Sequence, residues 1–311
     1  MWISPRKLTN HGVLGMNRRN VHYIGHYNDR SRYPLVDNKL NTKIVAREAG
    51  LAIPELIHVV KTQHEIETLE KIIAPLTEFV AKPAQGSGGK GILVVRGREE
   101  DQFIKSNGSP ISTAEIKRHL TNTISGLHSL GGRTDIAFLE ELVRVDESFK
   151  AFSHEGVPDI RLIIFKGFPI MGMLRLTTRV SDGKANLHQG AIGVGLGIAS
   201  GKPVRAVQHD RVVTAHPDTG ADLDELRIPD WPELLHLAAS TFEVTELGYL
   251  GCDIVIDKDK GPLILELNAR PGLSIQLAND AGLIPRLEAI EALDSRRMGV
   301  AERVAYSQAN F

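Results

Sequence analysis

The 311 residues, 42% of them apolar and with a formal net charge of −1, can bury a substantial core and carry no global field of the kind that attracts nucleic acid or anionic lipid. A single cysteine, Cys252, excludes an internal disulfide framework and fits a reducing, cytoplasmic setting. No apolar run reaches the ~18 residues of a membrane span, and the opening MWISPRKLTN lacks the apolar stretch of a secretory signal.

Residues 1–36 are polar and basic, with Arg6, Lys7, Arg18, Arg19, Arg30 and Arg32 and little periodicity, and read as a short solvated arm. His22 and His26 have the spacing of helical metal ligands, but a metal there lacks a third donor. From Asp37 to Ala49 apolar residues recur at helical spacing, and Gly50 supplies the stop. LAIPELIHVV then predicts a strand and residues 63–73 an amphipathic helix. EFVAK and ILVV predict two strands flanking PAQGSGGKG. This loop fails the Walker spacing, yet Gly86, Ser87, Gly88 and Gly89 at a hairpin tip leave main-chain N–H groups free to lie over phosphates. Lys82, at the end of the incoming strand, brings an ammonium within reach of one.

Residues 112–130 predict a helix and Ala137–Val145 a strand. DIRLIIF and PIMGMLRL predict a hairpin bearing Arg161 and Arg175. NLHQGAIGVGLG is rich in glycine and short of charge, as backbone passing close to a ligand would be. Residues 231–247 predict a helix, residues 275–292 close the fold helically, and residues 298–311 read as a disordered tail.

The sharpest chemistry lies in GCDIVID and LILELNARPG, two strands joined by DKDKG. With residues 257–262 as a symmetric loop, Ile256 faces Leu263 and Asp253 faces Glu266, while Asn268 shares the side of Glu266. Two carboxylates with Cβ atoms roughly 5 Å apart repel unless a cation lies between them. Adding the amide oxygen gives a hard donor set suited to Mg²⁺ when phosphate oxygens complete the shell. The competing reading is an exposed acidic hairpin, and a one-residue slip in register would abolish the site.

Taken in chain order, Lys39, Lys82 with its glycine loop, Glu-Glu-Leu-Val, Asp-Ile-Arg, Asn-Leu-His-Gln-Gly, Asp253 and ELNARPG resemble the ATP-grasp superfamily over about residues 36–290. Within it they look most like the α-L-glutamate ligases that modify a ribosomal protein. The resemblance implies an α+β ATP-grasp fold, two α+β subdomains with mainly antiparallel sheets enclosing ATP. Residues 37–140 would be the first, bearing the glycine flap, and residues 141–292 the second. Residues 1–36 would stand in for a truncated N-terminal domain, and residues 293–311 would be a tail.

The same resemblance assigns Lys39, Lys82, Gly86, Ser87, Gly88, Gly89, Glu141, Leu142, Asp159 and Lys184 to the nucleotide, with Glu141 and Leu142 reading adenine largely through main-chain groups. It assigns Arg161, Arg175, Asn186, His188 and Arg270 to the transfer chemistry. Asp253, Glu266 and Asn268 become ligands of Mg²⁺, with Mn²⁺ the alternative ion. The activity implied is ATP-dependent carboxylate–amine ligation through an acyl phosphate, with glutamate, another amino acid or a peptide as substrate. A small-molecule kinase and a nucleotide-binding regulator are the alternatives. Expected partners are these substrates and a second copy of the chain, with neither nucleic acid nor membrane. Two departures concern the acceptor: the short stretch before Lys39, and a longer, charged segment between Glu141 and Asp159.

Overall fold

The computed structural model describes residues 4–311 other than 87, 130, 131, 295 and 296. Two units divide the chain: Asp37–Val45 with Ile53–Val143, and Met1–Val36 and Ala46–Ala52 with Arg144–Phe311.

The smaller unit is built on β1 (Leu56–Val60), β2 (Phe79–Pro83), β3 (Leu93–Glu99), β4 (Gln102–Lys105), β5 (Pro110–Ile111) and β6 (Ala137–Glu140). They form a sheet of order β1-β6-β2-β3-β4-β5 in which every pair is antiparallel. Alternate residues Phe79 and Ala81, Leu93 and Val95, and Ala137 and Leu139 enter one core with Ile66, Leu69, Ile73, Ile116 and Leu120 from the helices Gln63–Glu67, Leu69–Ile73 and Thr113–Ile124. The helix predicted over residues 63–73 is two helices, because the Thr68 hydroxyl donates to the Glu65 carbonyl at 3.1 Å and ends the first turn. The strand predicted over residues 137–145 stops at Glu140. Glu141 N–H still donates to Glu55 O at 3.0 Å, but the next residue along the partner is Pro54, which has no N–H to give.

The larger unit carries β7 (Asp159–Phe165), β8 (Phe168–Leu176), β9 (Ile192–Leu196), β10 (Pro203–Gln208), β11 (Arg211–Val213), β12 (Tyr249–Asp257) and β13 (Gly261–Asn268). Their order is β11-β10-β9-β8-β7-β12-β13, again antiparallel throughout. One face changes character along β7. Ile163 and Phe165 join an apolar core with Tyr23, Ile275, Leu283 and Leu287, whereas Asp159 and Arg161 continue the same face as charge.

Three expectations are corrected here. The segment to Val36 is not a solvated arm over its described residues 4–36: Leu14, Tyr23, Ile24 and Val36 are buried, and Asn28 completes the start of β12. Its amide donates to Tyr249 O at 2.8 Å and its carbonyl accepts from Tyr249 N at 2.7 Å. Arg18 is spent on Glu288 at 2.8 Å and Arg19 on the Pro271 carbonyl at 2.8 Å. The tail is not disordered either. Val300–Asn310 is a helix whose Arg303 pairs with Glu243, while Tyr306 packs edge-on against Phe168 at 5.7 Å. Finally, the glycine-rich stretch 186–197 is a turn followed by the fully buried β9. A Cβ at Gly195 would lie 2.2 Å from the Ala278 carbonyl, so glycine there admits neighbouring backbone, not a ligand.

Asn28→Ala would strip two hydrogen bonds from buried Tyr249 main-chain groups. The expected cost is about 2–4 kcal/mol, read as a lowered midpoint in urea unfolding. An unchanged midpoint would show that the Asn28–Tyr249 pair contributes nothing measurable to this unit's stability.

Candidate active site

The hairpin of β12 and β13 is tighter than the sequence predicts. The Asp257 carboxylate accepts from Asp259 N at 2.9 Å and Lys260 N at 3.1 Å, and Gly261 takes φ of +73°, so Asp257 pairs with Gly261 and Ile256 with Pro262. That turn alone would shift every later pair by one residue. A bulge restores them: Ile254 pairs with Ile264 and Asp253 with Glu266, leaving Leu265 as the extra residue. Asp253 therefore faces Glu266, as predicted from a different loop.

The ladder carries this row across four strands. Asp253 pairs with Arg161 of β7, and Asp159, two residues earlier on the same face, pairs with Arg175 of β8. Arg161 grips Asp253 with both arms of its fork, Nε to Oδ1 at 2.7 Å and Nη2 to Oδ2 at 2.5 Å. Arg175 binds both oxygens of Asp159 and extends Nη2 to Asp253 Oδ2 at 2.9 Å. Asn268 lies opposite Gly251, and without a side chain in its way its amide Nδ2 reaches Asp253 Oδ2 at 3.2 Å. Burial opposes ionisation of Asp253, but Arg161 and Arg175 outweigh it and hold the carboxyl below its usual range. Burial, helped by the nearby Asp253 charge, outweighs Arg175 and the more distant Arg161 at Asp159, so its carboxyl is pushed up. Arg175 stays charged against its own desolvation because both carboxylates touch it.

Asp253, Glu266 and Asn268 are thus brought together on one face, two carboxylates and an amide whose Nδ2 is turned to Asp253; a hard divalent ion takes the oxygens of such groups. Among the described residues no group of three His, Cys, Asp or Glu side chains is placed to hold a metal. That holds for His22 and His26 as well, which line a cavity of about 490 Å³ with Arg18, Tyr23, Tyr27 and Glu291.

In the smaller unit a second charged group lies on β2 and β6. Lys82 sits opposite Phe138 and diagonal to Glu140, and its ammonium pairs with the Glu140 carboxylate. Lys43 approaches the other oxygen at 2.8 Å and donates to Pro54 O at 2.5 Å. Burial would raise the carboxyl of Glu140, but Lys82 and Lys43 keep it low, whereas the ammonium of Lys43 is depressed by its own desolvation. Sequence reasoning missed Lys43 and the buried role of Glu140. The available signals were that Lys43 falls one helical turn after Lys39 and that Glu140 alternates with Phe138 on the strand beside Lys82.

The glycine loop is pinned at its ends and open at its tip. Lys39 Nζ donates to Gly86 O at 3.0 Å, and Gln85 N–H donates to the buried Asp135 carboxylate at 3.1 Å. The His119 ring lies 3.0 Å from Gly91 O. Gly88 and Gly89 adopt φ of +62° and +75° with open space where a Cβ would stand, conformations that favour glycine. Ser87 lies outside the described residues. Glu141 spends its carboxylate on Glu55 N–H at 2.9 Å, while neither main-chain group of Leu142 makes a hydrogen bond among the described residues.

Other assigned residues have local partners. Asn186 Oδ1 accepts from His188 N at 3.0 Å and caps the turn Leu187–Gln189, His188 is exposed, and Lys184 pairs with Asp182 at 3.0 Å. Arg270 is exposed and lies over the Tyr33 ring at 5.2 Å. Cys252, on the far face of β12 beside Asp253, is fully buried, and burial pushes its thiol well above the usual range. We expect an aromatic disulfide reagent to leave it untouched in the native chain and to titrate it in denaturant. Rapid native labelling would mean that β12 opens.

A family model described as sugar-transfer associated ATP-grasp matches residues 18–292. No curated protein matches the chain significantly. Among solved structures, the ATP-grasp ligase PsnB complexed with minimal precursor is 15% identical, with a TM-score of 0.48 over 86% of this chain and 62% of its own. A PsnB complex with minimal precursor, Mg and ADP gives 16% and 0.44 over 86% and 61%. The D-alanine–D-alanine ligase of Bacillus anthracis complexed with ATP gives 11% and 0.45 over 97% and 75%. The chain spans less than two thirds of the length of PsnB. The superfamily is the one the motifs point to; within it, the matching description names sugar transfer and not glutamate ligation.

Proposed function

The chain belongs to the sugar-transfer associated ATP-grasp family, and on that premise we propose that it is an ATP- and Mg²⁺-dependent ligase joining a carboxylate to an amine. The observation that carries this reading is the charged row Arg175, Asp159, Arg161, Asp253 and Glu266 with Asn268, set on one face of a sheet where apolar residues would otherwise lie.

A carboxylate acylates poorly because its leaving group would be oxide. Phosphorylation by ATP supplies phosphate as the leaving group, and an amine then attacks the acyl phosphate. Phosphoryl transfer asks for positioning and charge neutralisation more than for covalent help. Arg161 and Arg175 would face the transferred phosphoryl group, while Lys39, Lys82 and the main chain of Gly86, Gly88 and Gly89 hold the nucleotide phosphates. Main-chain groups of Glu141 and Leu142 would meet adenine, with Asp159 assigned near its ribose edge. Asp253, Glu266 and Asn268 would hold Mg²⁺, or Mn²⁺ as the alternative ion, which when bound supplies charge neutralisation between phosphates. Arg270 is proposed to steady the tetrahedral oxyanion, and Lys184, Asn186 and His188 to border the phosphates. For substrates we propose glutamate, another amino acid or a peptide on one side. Because the family is described as sugar-transfer associated, we add sugar acids and amino sugars to the candidates.

The test is incubation of the full chain with ATP, Mg²⁺ and panels of amino acids, peptides and sugar acids. Ligation would release ADP and phosphate and yield a product lighter than the summed reactants by one water. A phosphorylated compound accumulating without any amine would make the chain a kinase. No ADP release across the panels would overturn the enzyme reading.

A further inference from the structure

Asp253 is the innermost member of its row. Its side chain is 3% exposed, whereas Arg161 and Arg175 are 16% and 11% exposed, so an incoming ligand meets the guanidiniums first. Its oxygens are also already engaged. Oδ2 accepts from Arg161 Nη2, Arg175 Nη2 and Asn268 Nδ2, more donors than a carboxylate oxygen has lone pairs, and Oδ1 accepts from Arg161 Nε. A divalent ion bound to the same oxygens would stand beside two fixed positive charges.

We propose that Arg161 and Arg175 act as internal counter-ions that keep Asp253 closed to a divalent cation until a polyphosphate draws them off. The inference rests on the ATP-grasp reading and assigns the order in which that site fills. Guanidiniums make bidentate charge-assisted bonds to phosphate as readily as to carboxylate, so the exchange leaves each arginine paired. It leaves Asp253, in contrast, buried beside Glu266 and Asn268 with no cation on it. The row then presents the two-carboxylate arrangement that needs a metal. Nucleotide and metal become positively coupled through the arginines, and the coupling is reciprocal.

The test follows the arginine Nε–H signals of the ¹⁵N-labelled full chain by NMR. Addition of a non-hydrolysable ATP analogue, adenosine β,γ-imidotriphosphate, with a chelator present should shift the signals of Arg161 and Arg175. Mg²⁺ alone should leave them in place at concentrations that act once the analogue is bound. Movement by Mg²⁺ alone at the same concentrations would overturn the inference while the nucleotide site stands. In parallel, electron paramagnetic resonance of Mn²⁺ without nucleotide should show about tenfold tighter binding to Arg161→Gln than to the wild type. Arg161→Lys keeps the charge but loses the fork and should also gain. Equality of Arg161→Gln with the wild type would refute the gate. A wild-type chain that binds neither analogue nor metal in any order would sink the ligase reading, and the inference with it.

Discussion

Replacing Glu266 by Gln is expected to lower turnover by at least about a hundredfold while the fold persists, since even outer-shell changes at metal sites cost 10–100-fold. Gln keeps the length and an oxygen of Glu266 but removes the charge that a hard cation selects. The position tolerates the exchange because Glu266 is half-buried on β13 and faces Asp253 across the ladder. Arg161 and Arg175 already neutralise Asp253 and stay in place in the variant, so the melting temperature should change little. Excess Mg²⁺ should recover part of the lost rate, because a weakened ligand set fills at higher ion concentration. Both quantities are read together, the rate of ADP release across a Mg²⁺ series and the thermal midpoint. Near-normal turnover at every Mg²⁺ concentration would remove Glu266 from the ligand set.

Much of this site could be read from the chain because a strand's two-residue period fixes which side chains share a face. Asp159 and Arg161, or Glu266 and Asn268, cannot avoid each other's side while the strand is regular. Across strands the sequence is less binding. Asp253 meets Glu266 only because a tight turn capped by Asp257 and a bulge at Leu265 displace the pairing in opposite senses. Neither is encoded by alternation alone.

What hydropathy hid were polar side chains doing structural work at long range. Asn28 pairs with Tyr249 and Arg303 with Glu243, so a basic N-terminal segment and a polar C-terminal one are both packed. Composition made each read as solvated, because a polar residue's distant partner leaves no local trace. Gly193 and Gly195 show the converse. Their glycine signal was real but answers to Leu187 and to the Ala278 backbone, a contact no window around residue 195 contains.

Glu140→Gln should be among the strongly destabilising changes in the smaller unit, costing about 3–5 kcal/mol. Glu140 is 1% exposed and holds two ammoniums, Lys82 and the 6%-exposed Lys43. Gln fits the same space but leaves both cations buried without an anion, and uncompensated buried charge is what makes breaking such a group expensive. An exposed pair such as Arg18–Glu288 contributes only about 0–1 kcal/mol by comparison. The effect carries a pH signature. Lys82 and Lys43 hold the Glu140 carboxyl below its ordinary 4.5, so its contribution is complete above that pH and is lost as pH falls through the lower folded-state value. Urea unfolding of wild type and variant should therefore differ fully at pH 7 and converge on acidification. A gap that stays constant into acid would locate the loss in packing, and a small gap at pH 7 would mean that the two lysines find other partners.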